Sequence, residues 1–173
     1  MYPNIRSYCT IRRHHAQKDG KTLFEAPGAT ESADFLTALY RELKLDYRKF
    51  FKMDNLSRLG FLASEILLAG QIDREKANED VSVILFNRSS SLDVDTACRR
   101  SMDSSDNGCP SPSIFIYTLP NIVAGEIAIR NGIFGETAFF IGERFNGEEL
   151  CRRVTDAFDD DAQKSLCGWV EYD

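Results

Sequence analysis

The spacing of apolar residues changes character along the chain, and each change marks an expected element. Ile5 to Ile11 (IRSYCTI) alternates and carries β-branched or aromatic side chains, which predicts a strand. Lys18-Asp19-Gly20-Lys21 has the composition of a turn, so Thr22 to Glu25 reads as a short returning strand. Phe35, Leu39 and Leu43 then recur at i, i+4 and i+8, which predicts a helix from Ala33 to Lys44 capped by Ser32. A second helix is expected from Asp54 to Ala69. Leu56, Leu59, Ala63, Ile66 and Leu67 give it a wide apolar face, and Gly70 ends it.

Val81 to Phe86 (VSVILF) is almost entirely apolar, the pattern of a strand covered on both faces in a parallel sheet. Asn87 to Pro112 is rich in Ser, Asp, Asn and Gly and reads as mostly loop, with Ile114 to Tyr117 as a short extended piece. Pro120 suits the first turn of a helix that reaches Asn131 and stops at Gly132. Thr137 to Ile141 (TAFFI) is another apolar strand. Glu148 to Phe158 is a helix with Leu150, Val154, Ala157 and Phe158 on one face, and Ser165 to Tyr172 is a closing strand. Strands alternating with helices predict an α/β layer structure with a mainly parallel sheet.

Composition narrows the class. The 173 residues suit one domain, 1–173, and 43% hydrophobic with 28% charged residues is ordinary for a soluble globular chain. A net charge of −6 argues against nucleic-acid binding, because a surface that tracks phosphates makes a domain basic. The cysteines are Cys9, Cys98, Cys109, Cys151 and Cys167. Their number is odd and no two form a CxxC, so reduced thiols in a cytoplasmic protein are expected, with Cys151 and Cys167 as small core residues. Met1 to Thr10 lacks the apolar run of a signal peptide, and the apolar stretches fall short of the roughly 20 residues of a membrane span. No nucleotide-loop, zinc-protease or nucleophile-elbow motif occurs, so no cofactor or metal is expected.

Pro112 to Gly135 reads PSIFIYTLPNIVAGEIAIRNGIFG. Within it Thr118-Leu119-Pro120-Asn121 leads into Ala124-Gly125-Glu126-Ile127-Ala128-Ile129-Arg130, and Gly132-Ile133-Phe134-Gly135 follows. This order resembles the β-ketoacyl-acyl carrier protein synthases, whose TLPN-like turn, A-G-x-I-A-I-R helix and G-x-x-G run in the same sequence. Met53 to Leu59 looks like the start of that family's first buried helix, Val81 to Phe86 like its next strand, and Leu166 to Glu171 like the strand ending its N-terminal half. The resemblance spans Ile5 to Asp173 and is weak before Met53. It implies the N-terminal half of a thiolase-like fold, a mainly parallel mixed sheet of about five strands with helices on its faces. It also implies that Gly125 packs closely against the sheet or another helix.

The same resemblance implies an acyltransferase whose cysteine nucleophile sits at the tip of the helix after the strand following G-x-x-G. Counting from Gly132 places that position near Arg144, between Glu143 and Phe145, none of which is a thiol. The family's two catalytic histidines belong to its C-terminal half. Here the only histidines are His14 and His15, near the amino end, where a solvated strand end is the simpler reading. Asp95-Thr96-Ala97-Cys98 resembles the family's T-A-C motif but precedes the TLPN-like segment instead of following it, so Cys98 is the weaker alternative nucleophile. Cys109 reads as a loop thiol, Asp159-Asp160-Asp161 as a solvated turn and Ser89-Ser90-Ser91 as loop.

The helix from Glu148 to Phe158 carries Glu149, Arg152, Arg153 and Asp156 opposite its apolar face. Burying those charges between two sheets, as a complete thiolase fold requires, costs several kcal/mol per unpaired ion. A free-standing half-fold follows. Three functions fit: a catalytically incomplete ketosynthase-like protein working beside a true ketosynthase or an acyl carrier protein in fatty acid or polyketide assembly; an acyltransferase using Cys98 or Cys109; and a binding module on the same fold. The uncharged strand Thr137 to Ile141 is the expected edge for a homodimer or for a heterodimer with a ketosynthase.

Overall fold

The computed structural model describes residues 3–28, 31–103 and 108–172. Two sheets form instead of one sheet of about five strands. The first is antiparallel, with strands β1 (Cys9–Arg12), β2 (His15–Lys18) and β3 (Lys21–Glu25) in that order. Its β2–β3 turn has consecutive left-handed residues, Asp19 at φ 52° and Gly20 at φ 75°, the twist a two-residue hairpin needs. The β1–β2 turn uses Arg13 (φ 50°) and His14 (φ 59°), so β2 follows a hairpin that no glycine announces. The expected strand from Ile5 is correspondingly short, and Ile5 itself is 86% exposed.

Against this sheet lie α1 (Ser32–Glu42) and α2 (Asn55–Leu68), with a 3-10 turn at Arg48–Lys52 between them. Phe35, Leu39, Phe50, Phe61 and Leu62 form the shared core, tightened by stacking of Tyr40 on Phe50 at 4.3 Å and Tyr47 on Phe61 at 5.2 Å between centroids. Ser32 is the first helical residue and not the cap. Glu31 holds the cap position without a side-chain bond. Asp54 does cap α2, accepting from Leu56 N at 3.1 Å and Ser57 N at 3.2 Å.

The second sheet is parallel, in the order β5 (Thr137–Ile141), β4 (Val81–Asn87), β6 (Lys164–Trp169). β4 is central, which is why it is apolar on both faces. One face packs Val81, Val83 and Leu85 against Val123, Ala124 and Ile127 of α5 (Ile122–Asn131) and Leu56 of α2. The other packs Ile84 against Val154 and Ala157 of α6 (Gly147–Asp159). Gly132 ends α5 in a left-handed conformation, φ 60°.

Four further expectations are corrected. Asn87 to Pro112 is not all loop: α3 runs Leu92–Asp103, burying only Val94 and Cys98 at i and i+4. The extended piece at Ile114 is helical, α4 (Pro112–Phe115) continuing as a 3-10 turn to Thr118. Gly125 faces open space, and the close helix–helix approach is made by Gly60 of α2, where a Cβ would overlap Val123. Nor are both late cysteines core residues: Cys151 is half-buried and Cys167 exposed. The charged face of α6 is solvated, as its pattern requires: only Val154 and Ala157 are buried in it. No single helix among the described residues is long and apolar enough to cross a membrane.

Candidate functional site at the carboxyl ends of β4 and β5

β4 hands its chain to the α5 face of the parallel sheet, whereas β5 hands its chain to the α6 face. Where consecutive connections leave on opposite faces, a crevice opens outside the carboxyl ends of the two strands. A cleft of about 410 Å³ lies there, floored by Phe86 and Phe140 and rimmed by the Ile141–Arg144 loop and the first turns of α6. Phe86 and Phe140 are register partners and stack at 4.9 Å. Arg144, the position counted from Gly132, stands exposed on this lip. The β5–α6 loop thus delivers it to the place where an α/β sheet of this kind binds its ligand.

The wall of the cleft is a charge ladder. Arg153 lies over the Phe140 ring at 4.6 Å and its Nε donates to Glu149 Oε1 at 2.9 Å. Arg152 donates to the other Glu149 oxygen. These bonds, Arg152 first, hold the Glu149 carboxyl below the usual carboxylate range. Asn146 caps α6, its Oδ1 accepting from Glu148 N at 3.0 Å and Glu149 N at 3.2 Å. The residues lining the cleft include no cysteine and no histidine. It offers guanidinium groups, carboxylates and an aromatic floor, and its lining carries no thiol.

Beside the cleft, the loop leaving β4 is closed on itself. The backbone N–H groups of Arg88 and Ser89 donate to the Glu171 carboxylate at 2.7 and 3.1 Å, and the Ser89 hydroxyl donates to it as well. Buried Asn87 grips Ser90 at both ends, accepting from its N–H at 3.0 Å and donating to its carbonyl at 2.8 Å. Ser91 donates to the Thr118 carbonyl at 2.6 Å. The Ser89-Ser90-Ser91 run is therefore a structural lock between β4, α3 and the segment before α5.

The other sequence candidates lie elsewhere. Cys98 is 7% exposed on the buried side of α3, where its small side chain serves as packing. Cys109 is exposed. His15 sits in β2 beside Thr22 Oγ1 at 3.0 Å and Glu25 at 2.9 Å, and His14 packs on Phe35, far from the parallel sheet in the chain's first layer. Asp159 ends α6, and Asp160 and Asp161 form the turn after it. No cluster of metal-ligating side chains occurs among the described residues.

A second, smaller cleft of about 280 Å³ opens between the start of α2, α3 and α4, with Asp54, Asp93 and Tyr117 on its walls. Burial pushes the Asp54 carboxyl up, and Asp93 adds to the effect. Tyr117 is committed, donating to buried Glu126 at 3.2 Å, which Lys49 neutralises from 2.7 Å. Arg144, the position counted from the sequence, lies in the β5–α6 loop two residues before the Asn146 cap and not at the tip of α6, and sequence reading does not single out Phe86, Phe140, Glu149 and Arg153 as cleft residues. Only the i, i+4 pair Glu149–Arg153 left a trace, as an ordinary helical ion-pair spacing. No family model matches the chain, and no curated protein or solved structure matches it at a significant level.

Proposed function

We propose that this protein is a catalytically incomplete ketosynthase-like chain that acts beside a true ketosynthase or an acyl carrier protein in fatty acid or polyketide assembly. The observation that carries the reading is the crevice at the end of β5. The helix–αL glycine–strand–helix order that the TLPN-like segment implies leads to an exposed Arg144 where the resemblance calls for a thiol. Thioester exchange needs a nucleophilic sulfur at that point, and guanidinium cannot supply one. A partner that keeps the scaffold and lacks the chemistry fits those facts.

The parallel sheet supports the reading in a second way. β5 has a neighbour only in β4, leaving its outer edge bare among the described residues. An edge of Thr137 to Ile141, without a charge, suits pairing with a strand of a second chain, either another copy or a ketosynthase.

The test is reconstitution. The isolated chain, given acyl and malonyl carrier proteins, should form no β-ketoacyl product and release no carbon dioxide above background. With a ketosynthase encoded beside it, it should co-purify and alter product yield or chain length. The competing acyltransferase reading rests on exposed Cys109. Condensation or acyl-enzyme formation abolished by Cys109→Ser would establish it and discard the accessory role.

A further inference from the structure

The geometry points to a thiol pair, Cys151 on α6 and Cys167 on β6, as an oxidisable site that closes into a disulfide linking the helix to the edge strand. This inference is independent of the ketosynthase-like reading.

Three placements bring the two side chains together. Cys167 is the register partner of Ile84 in the parallel β4–β6 ladder, and residues in register share a face. Ile84 faces α6, where it packs with Val154 and Ala157, so Cys167 also faces α6. On α6, Arg153 lies over Phe140 of β5. Residues two apart project from opposite sides of a helix, so Cys151 projects away from β5 and toward the β6 side. Val154, three residues after Cys151, holds that stretch of helix against the central strand.

Two properties fit a reactive pair more than a packed one. Cys167 is exposed and Cys151 half-buried, so small oxidants reach both, while Cys98 is buried. Cys151 also lies within electrostatic reach of Cys167: the Cys167 thiol is pushed up by desolvation and, after that, by Cys151.

The chemistry balances with a small disulfide such as glutathione disulfide as oxidant. The Cys151 thiolate attacks one glutathione sulfur, forming a mixed disulfide and expelling a glutathione thiolate. Cys167, once deprotonated, attacks the Cys151 sulfur and expels the second glutathione. Two protein thiols lose two electrons, and two glutathione thiols carry the protons. Because Cys167 must ionise, closure accelerates as pH rises.

The full-length chain carrying Cys109→Ser, which removes the exposed loop thiol, is incubated folded with glutathione disulfide at mildly alkaline pH. Most molecules should lose two hydrogens by intact mass and yield a Cys151–Cys167 linked peptide on digestion. Cys151→Ser and Cys167→Ser should each stop at a mixed glutathione disulfide on the remaining partner. Mixed adducts without the linked peptide in the parent chain would overturn the pairing. So would a linked peptide that forms no faster in folded protein than in urea, since the fold would then contribute nothing.

Discussion

Gly60 of α2 lies directly against Val123 of α5, so closely that a Cβ at Gly60 would overlap the valine methyl Cγ2, with Ile127 and Val170 close behind. This is the point where α2, shared by both cores, joins the helix covering the parallel sheet. Gly60→Leu is expected to destabilise the protein by at least about 1–3 kcal/mol through overpacking, and Gly60→Ala by part of that. Gly125, which faces open space within α5, behaves oppositely: Gly125→Ala should stabilise by about 0.5–1 kcal/mol through helix propensity alone. Urea unfolding of the three variants decides it, and a destabilising Gly125→Ala would place α5 wrongly.

Glu65 is buried in α2 and serves two guanidiniums, Arg74 at 2.8 Å and Arg130 at 3.1 Å. Arg74 also donates to buried Asn131 at 2.9 Å, and Arg130 stacks over Tyr47 at 4.8 Å. The carboxylate ties α2, the loop before β4 and the end of α5 into one unit. Glu65→Ala leaves two part-buried cations facing each other and should cost about 3 kcal/mol. Glu65→Gln, which retains an acceptor, should cost less. A Glu65→Gln variant as stable as wild type in chemical unfolding would mean that the charge is irrelevant, and equal losses from both variants would mean that the retained acceptor contributes nothing.

Asp54 offers a pH test. Its carboxyl is raised by burial, with Asp93 adding to it, although its bonds to the α2 N–H groups pull the other way. A carboxyl raised in the folded state favours folding when protonated and loses that contribution as pH rises through its folded pKa. Asp54→Asn keeps a capping oxygen and removes the buried charge, so at pH 7 it should be neutral or stabilising, while Asp54→Ala should lose about 1 kcal/mol of cap. On lowering the pH through the raised carboxyl range, wild type should gain on Asp54→Asn. A gap that widens on acidification would show that the cap bonds outweigh burial.

Legibility followed the physical source of each signal. α2, β4, α5, β5, α6 and β6 were readable because each carries an apolar stripe or run in its sequence, the clearest being Val81 to Phe86 in the central strand. α3 was hidden because its buried side chains are Val94 and Cys98 alone, set among Asp, Thr, Arg and Ser. β2 was hidden because its hairpin turns on Arg13-His14, whose left-handed backbone is held by tertiary contacts such as His14 on Phe35. Hydrophobic patterns announce that a strand exists but not which strand it joins. The amino-terminal strands therefore looked like members of the parallel sheet, while they pack on α1 and α2 through Ala16, Ile11 and Phe24. At the crevice, Arg144 could be reached by counting from a glycine. Phe86, Phe140 and Arg153 come from three elements that only the fold brings together.

The edge of β5 carries the last prediction. Glu136 O accepts from Val83 N at 2.8 Å and Gly142 N donates to Asn87 O at 2.8 Å, so residues 136, 138, 140 and 142 turn their backbone groups toward β4. Alternation then turns the N–H groups of Thr137, Phe139 and Ile141 outward, away from the sheet. Phe140, stacked on Phe86, is a poor probe because replacing it damages the crevice. Ile141 is 54% exposed and its N–H is not needed by β4, so Ile141→Pro removes an outward donor while sparing the fold. In sedimentation at high micromolar concentration, wild type should run as a dimer, or as a heterodimer when a ketosynthase is supplied. Ile141→Pro should run as a folded monomer with unchanged melting. A wild-type chain that stays monomeric and captures no ketosynthase would remove the edge from the account. A dimer that survives Ile141→Pro would move the contact to another surface.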